Sequence, residues 1–292
     1  MRTLILLALS AALLSAQPRP DHVVIIGVDG LSPDGILMAL TPQLDEFRKS
    51  GAWSFRARGV MPTVSSPNWA SMIMGAGPEQ HGITSNAWEV DTFEFTPQCT
   101  GLDGRFPTIF GILRQQRPDS RIGVFHEWGG FGRLVEPSAP SHRFHDKDPK
   151  RVTAEAVSWW KANRPALLFV HLDLVDHAGH DHGWLSREYY EAVAAADGFI
   201  REIVQGVRGA APDARTVFLV SSDHGGVGKK HGGMTMTELE IPWIAWGSGV
   251  ASGREIEAPI NTFDTAATAA WLLGLDMPAC WIGRPVAGAF VR

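Results

Sequence analysis

Cysteine is almost missing from this chain. Only Cys99 and Cys280 occur among 292 residues, and neither has a CxxC partner. Thiolate zinc centres of the finger or ribbon type are thereby excluded. What remains open is a single disulfide in an oxidising compartment, and the sequence does not decide whether the two meet. An excess of basic residues is lacking too: 26 Lys and Arg face 31 Asp and Glu, for a net charge of −5. No cationic surface therefore points to nucleic acid as a partner. Internal repeats and low-complexity linkers are absent. Beyond the first twenty residues no apolar run is long enough to read as a membrane span.

Those first residues, MRTLILLALSAALLSAQPRP, join a basic Arg2 to an apolar run and then to small Ser15 and Ala16. That is the pattern of a secretory signal peptide over residues 1–16, cleaved near Ala16. The run is short for a permanent span. The expectation is a secreted or periplasmic chain, residues 17–292, without a stable membrane anchor and folded as one catalytic domain.

Two residue types are abundant instead, with 11 His and 11 Trp. Histidine excess fits metal ligation. Most of the tryptophans read as core. The chain alternates strand-like and helix-like segments. HVVIIGVDG is a continuous apolar run, as expected of a buried parallel strand. RIGVFHEW, ALLFVHLDLVD, TVFLVSSDHG and IPWIAWG read as further strands. TPQLDEFRKSG reads as a helix capped by Thr41, with Pro42 first and Gly51 as stop. DPKRVTAEAVSWWKAN, SREYYEAVAAADGFIREIVQGV and TFDTAATAAWLLGL read as helices too. The alternation predicts an α/β fold, a mainly parallel central sheet with helices on both faces. The stretch 86–145, rich in Gly, Pro and aromatics, reads as a cap or insert near the site, or as an irregular connection.

Acids and histidines gather at the ends of three of these strands. Asp29 ends the first run, Asp176 and His180 follow LLFVHLDLV, and Asp223 and His224 follow TVFLVSS. His231 comes seven residues later in a glycine-rich loop, whose glycines allow the sharp return it needs. Ligands in open α/β sheets bind at strand C-termini. Three carboxylates and three imidazoles suit two zinc-like ions. Singly, each has a plain reading as a turn former or loop histidine, and it is the joint pattern that argues for metal. His171, His177 and His182 stay in the plain class.

A hydroxyl nucleophile comes from MPTVSSPNWASMIMGAG. Pro67 after Ser65 and Ser66 marks a helix start, where backbone N–H groups and the helix dipole favour an anion. Simple N-capping by serine is the competing reading.

These motifs carry a resemblance. GVDG with Asp29, PTVSSPNWASMIMGAGPEQHGITSN, DHAGH and SDHGG resemble the alkaline phosphatase superfamily, and within it the type I phosphodiesterase/nucleotide pyrophosphatase branch. The resemblance runs over nearly all of residues 17–292, in the same motif order. It implies an alkaline-phosphatase-like fold and two zinc ions, or other divalent metals. By it, Ser65 is the nucleophile and a ligand, with Thr63 and Ser66 as close alternatives. Asp29, Asp223 and His224 match one metal site, and Asp176, His180 and His231 the other. Asn86 matches an asparagine that contacts a phosphoryl oxygen, and the Ser66 N–H would be a second donor. Three departures stand out: Ser replaces Thr at 65, Trp69 stands where the family often has His, and the chain is short. No C-x-P-x-R segment is present, which disfavours the sulfatase branch. The implied substrate is a small phosphodiester, nucleotide or phosphate ester. Alternatives are a phosphomonoesterase or phosphonate hydrolase, with Lys229 or Lys230 offsetting the extra charge, and a catalytically dead binding protein. Trp128 or Phe131 in HEWGGFGRL would line a leaving-group pocket or simply pack in the core.

Overall fold

A computed structural model of the chain describes residues 19–92 and 94–291. The expected signal peptide lies outside them. In chain order the elements are β1 (His22–Val28), α1 (Pro33–Met38), α2 (Pro42–Ser50), β2 (Ala52–Arg58), α3 (Ser65–Met74), α4 (Pro78–His81), α5 (Ile109–Gln116) and β3 (Ile122–His126). Then follow α6 (Phe131–Leu134), β4 (His142–His145), α7 (Pro149–Asn163), β5 (Leu167–Leu172), α8 (Leu174–His182), α9 (Arg187–Ala210), β6 (Thr216–Ser221), α10 (Met236–Leu239), β7 (Glu240–Gly247), β8 (Arg254–Glu255) and α11 (Asp264–Leu273). One eight-stranded sheet runs β4-β3-β5-β1-β6-β7-β2-β8. The five strands from β4 to β6 are parallel, and β7 is antiparallel to both β6 and β2.

The apolar run of β1 is continuous because both faces are covered. Val23 and Ile25 pack into one buried cluster with Trp69, Phe110 and Ala266. Val24, Ile26 and Val28 pack into the other with Trp160, Ile200 and Phe47. Successive strand side chains point to opposite faces, so α3, α5 and α11 cover one side and α2, α7 and α9 the other. The central trio β5-β1-β6 ends in register, Val28 beside Leu172 and Gly27 beside Ser221. That register brings the three ligand-bearing strand ends to one edge.

Several expectations are corrected. ALLFVHLDLVD is not one long strand. β5 stops at Leu172, and Asp173 begins a helix over 174–182. The stretch 86–145 divides: residues 109–145 contribute α5, β3, α6 and β4, with β3 paired between β4 and β5, so only 86–108 is irregular. Three strands escape the sequence reading. β4 and β8 are short, and β2 (AWSFRAR) mixes buried and exposed positions at the sheet's far side. Thr41 sits at the N-cap of α2, but its hydroxyl donates to the Ile36 carbonyl instead of capping. Cys99 and Cys280 are joined in a disulfide.

Candidate active site

Asp29 follows β1 directly, and Asp223 and His224 follow β6. These three offer ligand atoms that all lie within 4.8 Å of one another. His224 Nε2 is 3.2 Å from Asp223 Oδ2 and 3.5 Å from Asp29 Oδ1. Ser65 Oγ lies 3.4 Å from the same nitrogen. The second group is Asp176, His180 and His231, within the same limit. Because α8 is helical, Asp176 and His180 are four apart and share a face. His180 Nε2 is 3.5 Å from Asp176 Oδ2, and His231 Nε2 is 3.7 Å from Asp176 Oδ1. The rings of His224 and His231 stack with centroids 3.7 Å apart, so the two groups lie side by side.

All three histidines of these candidate groups are oriented alike. The Nδ1 atoms of His224, His231 and His180 face the carbonyls of Gly225, Thr63 and Lys229 at 2.9, 2.9 and 3.0 Å. A carbonyl only accepts, so each Nδ1 carries the proton and each Nε2 turns its lone pair toward the carboxylates. Lone pairs facing carboxylate oxygens repel unless a proton or a cation sits between them. The buried oxygens Asp29 Oδ1, Asp176 Oδ1 and Asp223 Oδ2 have no hydrogen-bond partner. Burial raises the Asp29 and Asp223 carboxyls well above their ordinary range, helped by Asp173 and Asp29 respectively. Burial pushes Asp176 up to about 9, with the Asp29 charge adding. Burial also lowers His224 and His231, which keeps them neutral. Neutral imidazoles and uncompensated carboxylates form an N/O donor set that fits zinc-like divalent ions.

The glycine-rich loop makes the return to the second group. Gly228 and Gly232 hold φ of 58° and 100°, a left-handed backbone that suits glycine. Lys229 donates through Nζ to the Asp181 carbonyl, and Lys230 is exposed. Both therefore match the plain reading of loop lysines.

The helix that carries Ser65 differs from a serine-capped one. Val64 is the N-cap of α3, and Ser65 and Ser66 are its first two helical residues. The Ser65 hydroxyl is thus free of capping duty. The Thr63 hydroxyl is engaged by the loop, donating to the Gly233 carbonyl and accepting from the Gly232 N–H. Asn86 Oδ1 accepts the Ser66 N–H at 2.7 Å. The two expected phosphoryl donors are therefore bonded to each other, and the Asn86 amide nitrogen is the one left for a ligand.

Sequence reasoning missed four residues around this site. Asn68 is fully buried; it donates to the carbonyls of Val60, Pro62 and Val64 and accepts from the Val60 N–H, which stitches the turn before Ser65. Trp69, which stands where the family often has His, donates from Nε1 to Asp29 Oδ2 at 2.9 Å. Gly27 makes room for that indole, since a Cβ there would strike the Trp69 ring. His171 and Asp173 join Asp29 in a third candidate ligand group, with His171 Nε2 3.4 Å from Asp29 Oδ2. His171 is wholly buried and burial lowers its pKa. His177 is instead exposed and pairs with Asp173 at 3.0 Å, a partner that raises it to about 9. A signal was present in HLDLVDHAGH, but helix phase was needed to sort its members. Phe131 is buried, stacked on Phe169 and edge-on to Trp69, so it is core. Trp128 is half-buried against the same cluster.

A profile of the type I phosphodiesterase / nucleotide pyrophosphatase family matches residues 23–233. The chain belongs to that family. GPI ethanolamine phosphate transferase 1 of Aspergillus oryzae is 30% identical over 92% of the chain. Bis(5'-adenosyl)-triphosphatase ENPP4 of Bos taurus is 24% identical over 72%. The chain covers only 31% of the first relative's length and 49% of the second's. Among solved structures, murine ectonucleotide pyrophosphatase/phosphodiesterase 5 in complex with AMP matches with a TM-score of 0.75 at 15% identity, over 92% of this chain and 98% of that one. An alkaline phosphatase, PafA, matches at 0.74 and 12% identity, over 94% of this chain and 100% of that one. The family's alkaline-phosphatase-like fold is thus shared at low identity.

Proposed function

We propose that this family member transfers a phosphoryl-type group through Ser65, taking a small phosphodiester, nucleotide or pyrophosphate substrate. The observation that carries the reading is the Ser65 hydroxyl at the joint of the first ligand group, 3.4 Å from a nitrogen already shared with two carboxylates. Asp29, Asp223, His224 and Ser65 would hold one divalent ion, zinc by preference, and Asp176, His180 and His231 the other. Bound ions would supply the positive charge that favours a serine alkoxide and a departing oxygen.

In that reading Ser65 Oγ attacks phosphorus as the bond to the leaving oxygen breaks. The serine proton passes to solvent, and a solvent proton neutralises the leaving group. The α3 N-terminus and the Asn86 amide steady the equatorial oxygens. A second in-line attack frees Ser65. Water as attacker makes a hydrolase, as in the nucleotide pyrophosphatase relatives. An alcohol makes a transferase, and the ethanolamine phosphate transferase relatives favour that second reading. The engagement of Lys229 elsewhere supports a singly charged diester over a monoester. Export to a secreted or periplasmic location is part of the proposal, supported by the disulfide.

The test is hydrolysis of bis-p-nitrophenyl phosphate and p-nitrophenyl phosphate by zinc-loaded wild type and Ser65→Ala, with and without ethanolamine as acceptor. Diester preference lost in the variant supports the reading, and formation of the p-nitrophenyl phosphodiester of ethanolamine from the diester substrate favours the transferase. Full activity in Ser65→Ala refutes the nucleophile.

A further inference from the structure

The turn that carries Asn86 is pinned to the core by Trp88, with Val90 packed beside it, while its Asn86 end is exposed. Residues 86, 87, 89, 91 and 92 are exposed, and within it only Trp88 is buried. Short local bonds close it: Trp88 N–H to the Ser85 carbonyl at 3.2 Å, and Thr92 N–H to the Glu89 carbonyl at 3.0 Å. Neither ties the turn to the rest of the molecule. Asn86 reaches α3 through its side chain, yet a side chain fixes a donor only as well as its backbone is fixed.

Arg133 supplies a polar anchor at the exposed Asn86 end. Arg133, in α6, donates through Nη2 to the Asn86 backbone carbonyl at 2.9 Å and through Nη1 to Glu89 Oε1 at 2.6 Å. Its own carbonyl accepts from Arg105 Nε at 3.0 Å. A planar guanidinium holds two acceptors in a fixed relation, which a lysine ammonium does not. The pair with Glu89 is largely solvated, with 32% and 63% of the two side chains exposed. Such pairs contribute little to stability, so its effect belongs to the geometry of the turn.

We infer that Arg133 is a positioning residue for Asn86, with Glu89 as its second anchor, and that this fork sets where the Asn86 amide meets a phosphoryl oxygen. The inference rests on the reading of Ser65 as nucleophile. It gives the segment after β3 a task at the site: it braces the phosphoryl donor from behind and touches no substrate.

The experiment is a double-mutant cycle on the zinc-loaded full chain, with bis-p-nitrophenyl phosphate as probe. Removing one preorganised donor reduces kcat by about 100-fold or more, which is the expectation for Asn86→Ala. Arg133→Ala is expected to lower kcat by about tenfold with KM, zinc content and Tm nearly unchanged, and Arg133→Lys to recover part of the loss. In the Asn86→Ala background Arg133→Ala should cost nothing further. If Arg133→Ala does not fold, Glu89→Gln completes the same cycle, with a smaller loss that also vanishes without Asn86. An undiminished Arg133 effect in the Asn86→Ala protein overturns the inference, because Arg133 then acts on substrate or on the fold directly. So does an Arg133→Ala enzyme with wild-type kcat. A wild type inactive on every phosphoester removes the phosphoryl reading itself, and this inference with it, whereas an active wild type with an additive cycle removes the inference alone.

Discussion

Stripping divalent cations from this protein should reverse the direction in which pH acts on its site. Without a cation, burial and mutual repulsion raise the carboxyl pKa values of Asp29, Asp176 and Asp223. For Asp176 the window runs from the ordinary 3.8 to about 9. A folded-state pKa raised above the unfolded one means that the folded chain holds a proton the unfolded chain releases. Stability from that proton is fully present below 3.8 and is lost as pH rises toward about 9. The metal-free protein is therefore expected to lose stability through neutrality, where the metal-loaded protein does not. His224 and His231 are already held neutral, so cation binding at these groups displaces protons held by the Asp29, Asp176 and Asp223 carboxyls. Each proton that must be displaced weakens cation binding by about tenfold for every pH unit below the relevant pKa, so binding tightens as pH rises. Two measurements check this. Calorimetric zinc titrations near pH 7, in buffers of different ionisation enthalpy, should show net proton release. The Tm gap between zinc-loaded and chelator-treated protein should widen from about pH 5 to about pH 9. A gap independent of pH, with no proton release, would refute the claim that these carboxyls are held protonated for want of a cation.

The other predictions concern single groups. Trp69→Phe removes the N–H on Asp29 Oδ2 and should weaken zinc affinity by about 10–100-fold, read by competition with a chromophoric chelator; unchanged affinity would return Trp69 to packing alone. Asn68→Ala strands several acceptors around the turn before Ser65 and should lower unfolding free energy by about 3 kcal/mol in urea titrations. Reducing the Cys99–Cys280 bond should destabilise the chain by about 2–5 kcal/mol, seen as a lower Tm with dithiothreitol than without. Trp128→Ala should leave the nucleotide KM unchanged if the half-buried indole only packs, and a raised KM would place it in a leaving-group pocket.

Much of this protein was legible in its residues because the signals were local. The unbroken apolar runs of β1 and β6 fixed them as strands buried on both faces. Asp29 and Asp223 at their ends, with His224 beside Asp223, then followed from the chain itself. The order of the motifs pointed to the family, and Pro67 placed the start of α3 within two residues. What stayed hidden depends on contacts between distant segments. No local pattern says that β5 stops at Leu172, and that stop decides that Asp176 and His180 share a helical face while His177 turns to solvent. The Trp69 indole became a support for Asp29 only because Gly27 lets it lie across β1. The Ser66 amide looked free until the chain brought Asn86 onto it. The pairing of Cys99 with Cys280, and the reach of Arg133 to the Asn86 turn, join residues that no periodicity connects. Periodicity and spacing record how each segment meets water and core, so the sequence alone determined the elements and the ligand types. Which groups face one another across the sheet edge is a property of packing, and only the tertiary structure decided it.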